Sequence, residues 1–593
     1  MKSLFQDWTN ALKSLQINSP IESLNGGILC PACSRVHGRS IDAIYPFIKA
    51  YIDTGDHSYY ASAKNLYSWT NGLKNPDGSW NNDLHIVDWN GISVFNLISV
   101  LSTIEDFGDS IENEDLQEWM SDYRKTADFV YDTFTISTGN INYPASATYA
   151  LFLAYRVFGD TKFLDKANTL ATELFAYFTE EGILFGEGYP QLSVSKKGCR
   201  PIDIAYNLDE SLPHLLKFAE ETSNILLLEL IKKSYEAHSY FILEDGGIDN
   251  SWCARNYKWT YYGSRTSDGP ILGLMIMGQY DSKYHKLNQK HIELLTAATR
   301  NGILDGGLGY GEANTPPCIH HTFCHAKNIA MSLEYAKKHK LFTENQNFDS
   351  TMMVPDEFSE FSPNMTNISI VNAEKWRFTI SDYDWQYAPG STASGGALTL
   401  LRHSDFGIII AAGLNYHVMP ERFNMQSYPP NTFISATPKL EAIVNNKKYQ
   451  SIDCLDAKIQ KEVSSNIYIY QADGYFQNQI EGTELHELKY SINYTVSGDA
   501  RKNIVIKTVV LGETQATLKY ILPIVHLQGD TIEYKNNSMK ITRNGIILTI
   551  IIHGGILEKN TTGFNYQPGF VFTALGIELI QGSECSITLE VSK

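Results

Sequence analysis

Apolar residues in roughly the first 345 positions recur at spacings of three and four, the period of an amphipathic helix, between short runs of Gly, Asp and Pro. The segments 147–158 and 163–178 carry this pattern most plainly and are joined by Gly159 and Asp160. The same join occurs earlier. Tyr51, Gly55, Asp56, Tyr59, Ala63 and Leu66 match Tyr155, Gly159, Asp160, Phe163, Ala167 and Leu170 in spacing, and Asp281 with Tyr284 is a fainter echo. The repeat predicts a helix stopped by Gly, a short turn, and a second helix whose aromatic and Ala face packs back on the first. At roughly 50 to 60 residues per helical hairpin the span holds about six, enough to close a ring.

Past about position 348 the segments shorten, alternate, and fill with Ile, Val, Thr and Tyr, the pattern of strands. Examples are 367–371, 397–401, 407–411, 466–471, 504–511 and 585–591. Asn544 and Gly545, which both tolerate positive φ, separate two such runs and predict a tight hairpin. The expected architecture is therefore α+β and multidomain: a helical ring, an (α/α)6 toroid, over 1–345, then an antiparallel β-sandwich over 346–593.

The chain of 593 residues is 43% hydrophobic and 19% charged, a composition that can bury a large core. No run of 18 apolar residues marks a membrane helix. Forty-eight Lys and Arg stand against 66 Asp and Glu, a formal charge of −18 that would repel a nucleic-acid backbone, and no basic stripe offsets it. No charged and apolar leader opens the sequence, so a cytoplasmic location is expected, or a periplasmic one if a signal has been trimmed. A homo-oligomer is compatible with the sequence. The eight cysteines are too sparse for a disulfide scaffold, and reduced thiols are expected.

Five loops in the helical half mix Gly, aromatics and short polar groups, which suits a sugar site: flat rings for pyranose faces, carboxylates and amides for hydroxyls. They contain Trp80; Asp88, Trp89 and Asn90; Glu187 and Tyr189; Asp249, Asn250 and Trp252; and Asp305, Tyr310 and Glu312. The densest stretch runs from Trp252 to Gly269, where Arg255, Lys258 and Arg265 stand among Tyr257, Trp259, Tyr261 and Tyr262. Arg binds carboxylate bidentately while neighbouring rings stack on the sugar, so a carboxylated sugar is the expected ligand. Arg39 either reaches that carboxylate or pairs with Asp42. His321 and His325, four apart, share a face if helical, with His320 beside them.

For acid and base work the carboxylates to consider are Glu187, Asp209, Glu210, Asp249 and Asp268, with Glu187, between two glycines, the leading general acid. No cofactor is expected. Cys30 and Cys33 with His37 form half of a metal site that Cys318, His320, His321 or Cys324 would have to complete, and buried apolar thiols are the plainer reading. Gly-x-Ser-x-Gly, Walker and dinucleotide motifs do not occur.

A helical ring followed by an antiparallel β domain, with Trp, Tyr, Asn, His and Arg in the ring loops, resembles the toroid-plus-sandwich carbohydrate-active enzymes. These include heparinase II/III-like and chondroitinase-like polysaccharide lyases and toroid β-glucuronidases. The resemblance implies, for a lyase, Tyr261 or Tyr262 as proton donor, Asn250 or Asn256 neutralising a uronate carboxylate, and His320 or His321 as base. The helix expected to carry an Asn-His pair instead reads Asn207, Leu208, Asp209, Glu210. That departure favours hydrolysis of a uronic-acid glycoside in an oligo- or polysaccharide, with Glu187 as acid and Asp209 or Glu210 as base or nucleophile. The alternatives are β-elimination and non-catalytic glycan binding.

Overall fold

The computed structural model describes residues 1–593 except 22, 83–89, 342–358, 414–434, 465–466, 498–502 and 559–560. The repeated Gly-Asp join folds as its chemistry dictates. Gly55 and Gly159 adopt φ of 72° and 71° and return their N–H groups to the carbonyls of Tyr51 and Tyr155 at 2.7 and 2.8 Å. Asp56 and Asp160 then cap the following helices, accepting from the N–H groups of Ser58 and Lys162. Each join turns the chain back on itself between an inner and an outer helix.

The helices are α1 (Lys2–Ser14), α2 (Ile44–Thr54), α3 (His57–Asn71), α4 (Ile92–Phe107), α5 (Asn113–Thr133), α6 (Asn142–Phe158) and α7 (Thr161–Leu174). After them come α8 (Ile204–Tyr206), α9 (Leu212–Glu221), α10 (Ile225–Ser239), α11 (Ile271–Met277), α12 (Lys283–Ala297) and α13 (Ile319–Lys338). Contacts run α2 to α4, α6, α9, α11, α13 and back to α2, a closed inner ring of six. The outer layer is α3, α5, α7, α10, α12 and α1, each mainly against one inner helix, with α5 also meeting α6 and α1 also meeting α2. Inner helices are buried on most of their surface, and α13 is buried from Ile319 to Ala336 without interruption, polar residues included. Outer ones such as α5 bury a single stripe. The ring closes because α1, first in sequence, covers α13, last in the ring, through Trp8 and Leu12, both fully buried. This is the α/α toroid expected from the periodicity.

Two pairs of two-residue strands, Trp259–Thr260 with Gly263–Ser264 and Thr299–Arg300 with Ile303–Leu304, lie within the helical half; among the described residues the strands of the β half begin at Ser359, and their pairings are antiparallel. A five-stranded sheet runs from Ser359 to Ala411, and a 14-stranded sheet takes most of the remainder. Asn544 and Gly545, at φ of 51° and 80°, form the foreseen turn between Ser538–Arg543 and Ile546–His553. The expected junction near 345 falls outside the described residues. The apolar core of the helical half extends into the β half, where Tyr383 and Phe570 join it, and the β half has a second core of its own. One close approach is glycine against glycine: a Cβ on Gly307 would lie 2.5 Å from the Pro568 carbonyl oxygen and the Gly569 Cα.

Candidate active site

All six inner helices begin at the same end of the ring, and one pocket sits there. Its lining draws on every inner position: Arg39 before α2, Asn82 in the loop ahead of α4 and Phe95 in its first turn, Asn142 and Tyr143 opening α6, Tyr206 and Glu210 from α8 onward, Arg255, Lys258 and Thr266 before α11, and His320 at the start of α13. Helix starts carry partial positive charge, and three cations join them in a chain of formal charge −18. The pocket is therefore an attractive spot for an anion on a molecule that otherwise repels one.

A π-helical turn, Asn207–Ser211, separates α8 from α9 and turns two consecutive carboxylates into the interior. Asp209 accepts from the Ser264 N–H at 2.9 Å and the Ser267 hydroxyl at 2.6 Å. It anchors the loop before α11, and Gly263 permits the approach, since a Cβ there would meet the Asp209 carboxylate at 2.5 Å. Burial pushes the Asp209 carboxyl well above the usual range.

Glu210 reaches the pocket wall. It accepts from the Arg39 guanidinium at 3.2 Å and from the Asn142 amide at 2.9 Å, and burial raises its pKa against the pull of Arg39. Arg39 also holds Asp42 and Asp268, each at 3.0 Å, and lies 3.8 Å over the Phe95 ring. Glu187 accepts from the Asn142 backbone N–H at 3.1 Å and from Arg255 at 2.9 Å. Its pKa is pushed up to about 7, because burial outweighs the neighbouring guanidinium. Arg255 in turn covers the Tyr206 ring at 3.9 Å, and the Tyr206 and Thr266 hydroxyls share a hydrogen bond of 3.0 Å. His320 Nε2 is buried without a partner among the described residues, while its Nδ1 lies 3.3 Å from the Cys318 thiol.

Of the residues singled out in the sequence, Arg39, Glu210, Arg255 and His320 line this pocket, and Glu187 lies one contact behind it. Tyr262 and His321 do meet, ring edge to face at 5.9 Å, but away from the pocket lining; the Tyr262 hydroxyl donates to the Asp305 carbonyl. Arg265 bonds the Tyr310 hydroxyl at 3.3 Å, and Tyr261 donates to Asp245 at 2.9 Å. Asn250 accepts from the Ala205 N–H and donates to Asp203, fixing the start of α8. Trp252 packs edge-on to Tyr383, and Trp80 stacks on Tyr123 and donates to Thr126. Asn90 is half-buried. Asp88 and Trp89 lie outside the described residues.

Asn142, Tyr206 and Thr266 were not singled out in the sequence. The available signal was position: each sits at, or just before, the first turn of an inner helix, as Arg39 and His320 do.

Known proteins match this chain along its whole length. Residues 5–351 match the ulvan lyase N-terminal domain and residues 363–592 the ulvan lyase C-terminal domain. A broad-specificity ulvan lyase of Formosa agariphila is 32% identical over 97% of this chain and 91% of its own length. Among solved structures, heparinase III aligns with a TM-score of 0.52 at 13% identity, over 93% of this chain and 76% of the other. Chondroitin AC lyase of Streptomyces coelicolor A3 aligns with a TM-score of 0.51 at 11% identity, over 100% and 79%. The latter two share the toroid-plus-sandwich fold. The expectation of glycoside hydrolysis is corrected here, because the matched domains and the relative similar over the full length are lyases. Asn207 of the Asn207-Leu-Asp-Glu run, which favoured hydrolysis, turns away to the Leu184 carbonyl and His238, and the amides that line the pocket are Asn82 and Asn142.

Proposed function

Since the chain belongs to the ulvan lyase family and is a carbohydrate-active enzyme, we propose that it cleaves a uronic-acid polysaccharide by β-elimination, with Tyr206 and His320 moving the protons. The observation that carries this is the pocket itself: a phenol, an imidazole and an amide held with three cations where six helix starts converge. Elimination requires the uronate carboxylate to be neutralised so that the C5 proton becomes removable. Arg255, Lys258 and the Asn142 amide supply that positive field. His320 Nε2, buried and unbonded among the described residues, takes the C5 proton. Tyr206, its hydroxyl fixed by Thr266, gives a proton to the departing O4 oxygen as the C4–O4 bond breaks and the C4–C5 double bond forms. Asp209, Glu210 and Glu187 act as supports: the first holds the loop, the others orient Asn142 and the two arginines.

Ulvan is the first substrate to try, given the relative from Formosa agariphila. Incubation should release unsaturated uronate ends that absorb ultraviolet light, and Tyr206→Phe should lower their rate by roughly 100-fold or more. New reducing ends without that absorbance, across a set of uronate polysaccharides, would overturn the lyase reading.

A further inference from the structure

The loop between α1 and α2 holds an arrangement that the proposed chemistry does not use. Cys30, Cys33 and His37 place their two sulfurs and one ring nitrogen within 4.8 Å of one another, and the Cys33 sulfur lies 3.2 Å from His37 Nε2. A third thiol comes from the far end of the toroid: Cys318, capping α13, has its sulfur 4.0 Å from that of Cys30. Zinc held by thiolates at about 2.3 Å in a tetrahedron sets its ligand atoms about 3.8 Å apart. The backbone is shaped to match. Leu29 pairs with Val36, the Cys30 N–H donates to the Arg35 carbonyl at 2.8 Å and the Ser34 N–H to the Cys30 carbonyl at 2.9 Å. Ser34 takes φ of 55° in this tight reversal, which swings both thiols to one side.

We infer that Cys30, Cys33, His37 and Cys318 bind one Zn²⁺ tetrahedrally and so pin the first loop of the chain to the last helix of the ring. Three thiols lose their protons to solvent as the metal enters, leaving three thiolates and one neutral imidazole around a doubly charged ion. Cys33, the only one of the four not fully buried, gives the route in. Another cluster of ligand-type groups among the described residues, Asp42, Asp268 and Cys324, serves as a contrast. There Arg39 and Lys327 already sit on the carboxylates at 2.9 to 3.1 Å, so cationic side chains fill the place of a metal.

The site has a second consequence, which rests on the lyase reading. The Cys318 sulfur lies 3.3 Å from His320 Nδ1, and the His37 and His320 rings are 4.3 Å apart. A metal-bound thiolate at Cys318 would accept a hydrogen bond from a His320 Nδ1–H and so hold the orientation of that ring. Cys318 is then a positioning residue, not a catalytic one.

Metal analysis of the full chain, purified without chelator, should find about one zinc per chain. Replacement by Co²⁺ should give the intense visible absorption of tetrahedral cobalt bound by thiolates. Cys33→Ser should lower metal content by about tenfold or more, whereas Cys199→Ser, a buried thiol elsewhere, should keep it. If Cys33→Ser does not fold, the cobalt spectrum of the native chain still decides. Folded native chain with neither zinc nor the cobalt bands, or Cys33→Ser with its full zinc, would overturn the proposal. No measurement here uses a substrate, so its failure is distinct from failure of the lyase reading.

Discussion

Asn142 donates from its backbone to Glu187 and from its side chain to Glu210, so one residue ties two buried carboxyls to the pocket wall. Replacing it by Asp removes the donor and adds a third acid beside them. Asn142→Asp should lower kcat/KM on a uronate polysaccharide by roughly 100-fold, with an unchanged far-ultraviolet circular dichroism spectrum as the check on folding. Glu187 gives a stability prediction. Its pKa is raised from 4.5 to about 7 in the folded chain, so between those values the native state binds a proton that the unfolded state has lost. Stability therefore falls as pH rises through that window. Melting temperatures measured from pH 4.5 to 7 should show a downward slope in the native protein that is reduced in Glu187→Gln. This interplay was only partly legible in the sequence. Arg39, Glu210, Arg255 and His320 stood out by residue type, but Asn142 and Tyr206 carry no motif. Only the ring brings residues 39, 142, 206, 255 and 320 to one wall.

Helices and turns were far more legible, because their causes are local. Gly159 and Asp160 read as a stop and a start, and the φ of 71° and the cap to Lys162 bear that out. No atom stands within 4 Å of a Cβ added at Gly55 or Gly159, so an Ala at either meets only backbone strain. Each single change to Ala should cost about 1 kcal/mol, and the pair about twice that, measured by urea unfolding. The π-helical turn was not legible. An inserted residue in a helix leaves no periodic trace when, as at 207–211, nearly everything around it is buried. Asp209 depends on that turn, and Asp209→Ala should destabilise the chain by about 1 to 3 kcal/mol, because the Ser264 N–H and the Ser267 hydroxyl each lose a buried acceptor.

At the scale of the whole molecule, the change from helical to alternating periodicity revealed two halves, but not how they meet. The glycine-to-glycine approach of 307 and 569 has no signature in either segment alone. Charge works at the same scale. The chain is acidic overall, yet its pocket gathers Arg39, Arg255 and Lys258, so a polyanion would be attracted locally and repelled elsewhere. Raising ionic strength should screen both effects, the nearer pocket contacts least. Initial rates on short and long substrates from 0.05 to 0.5 M NaCl, read by ultraviolet absorbance, should show KM rising more for the short one, which feels only the pocket.

Closure of the ring by α1 also bears on the order of events during synthesis. Helix α1 is made long before α13, the helix that must rest against it, with some 300 residues between Trp8 and its neighbour His325. An open solenoid can settle unit by unit as it leaves the ribosome, whereas this circle stays incomplete until its final arc arrives. A nascent chain halted before residue 319 would leave bare the part of the Trp8 face that meets α13, and release from that halt should convert it to the protected form in one step.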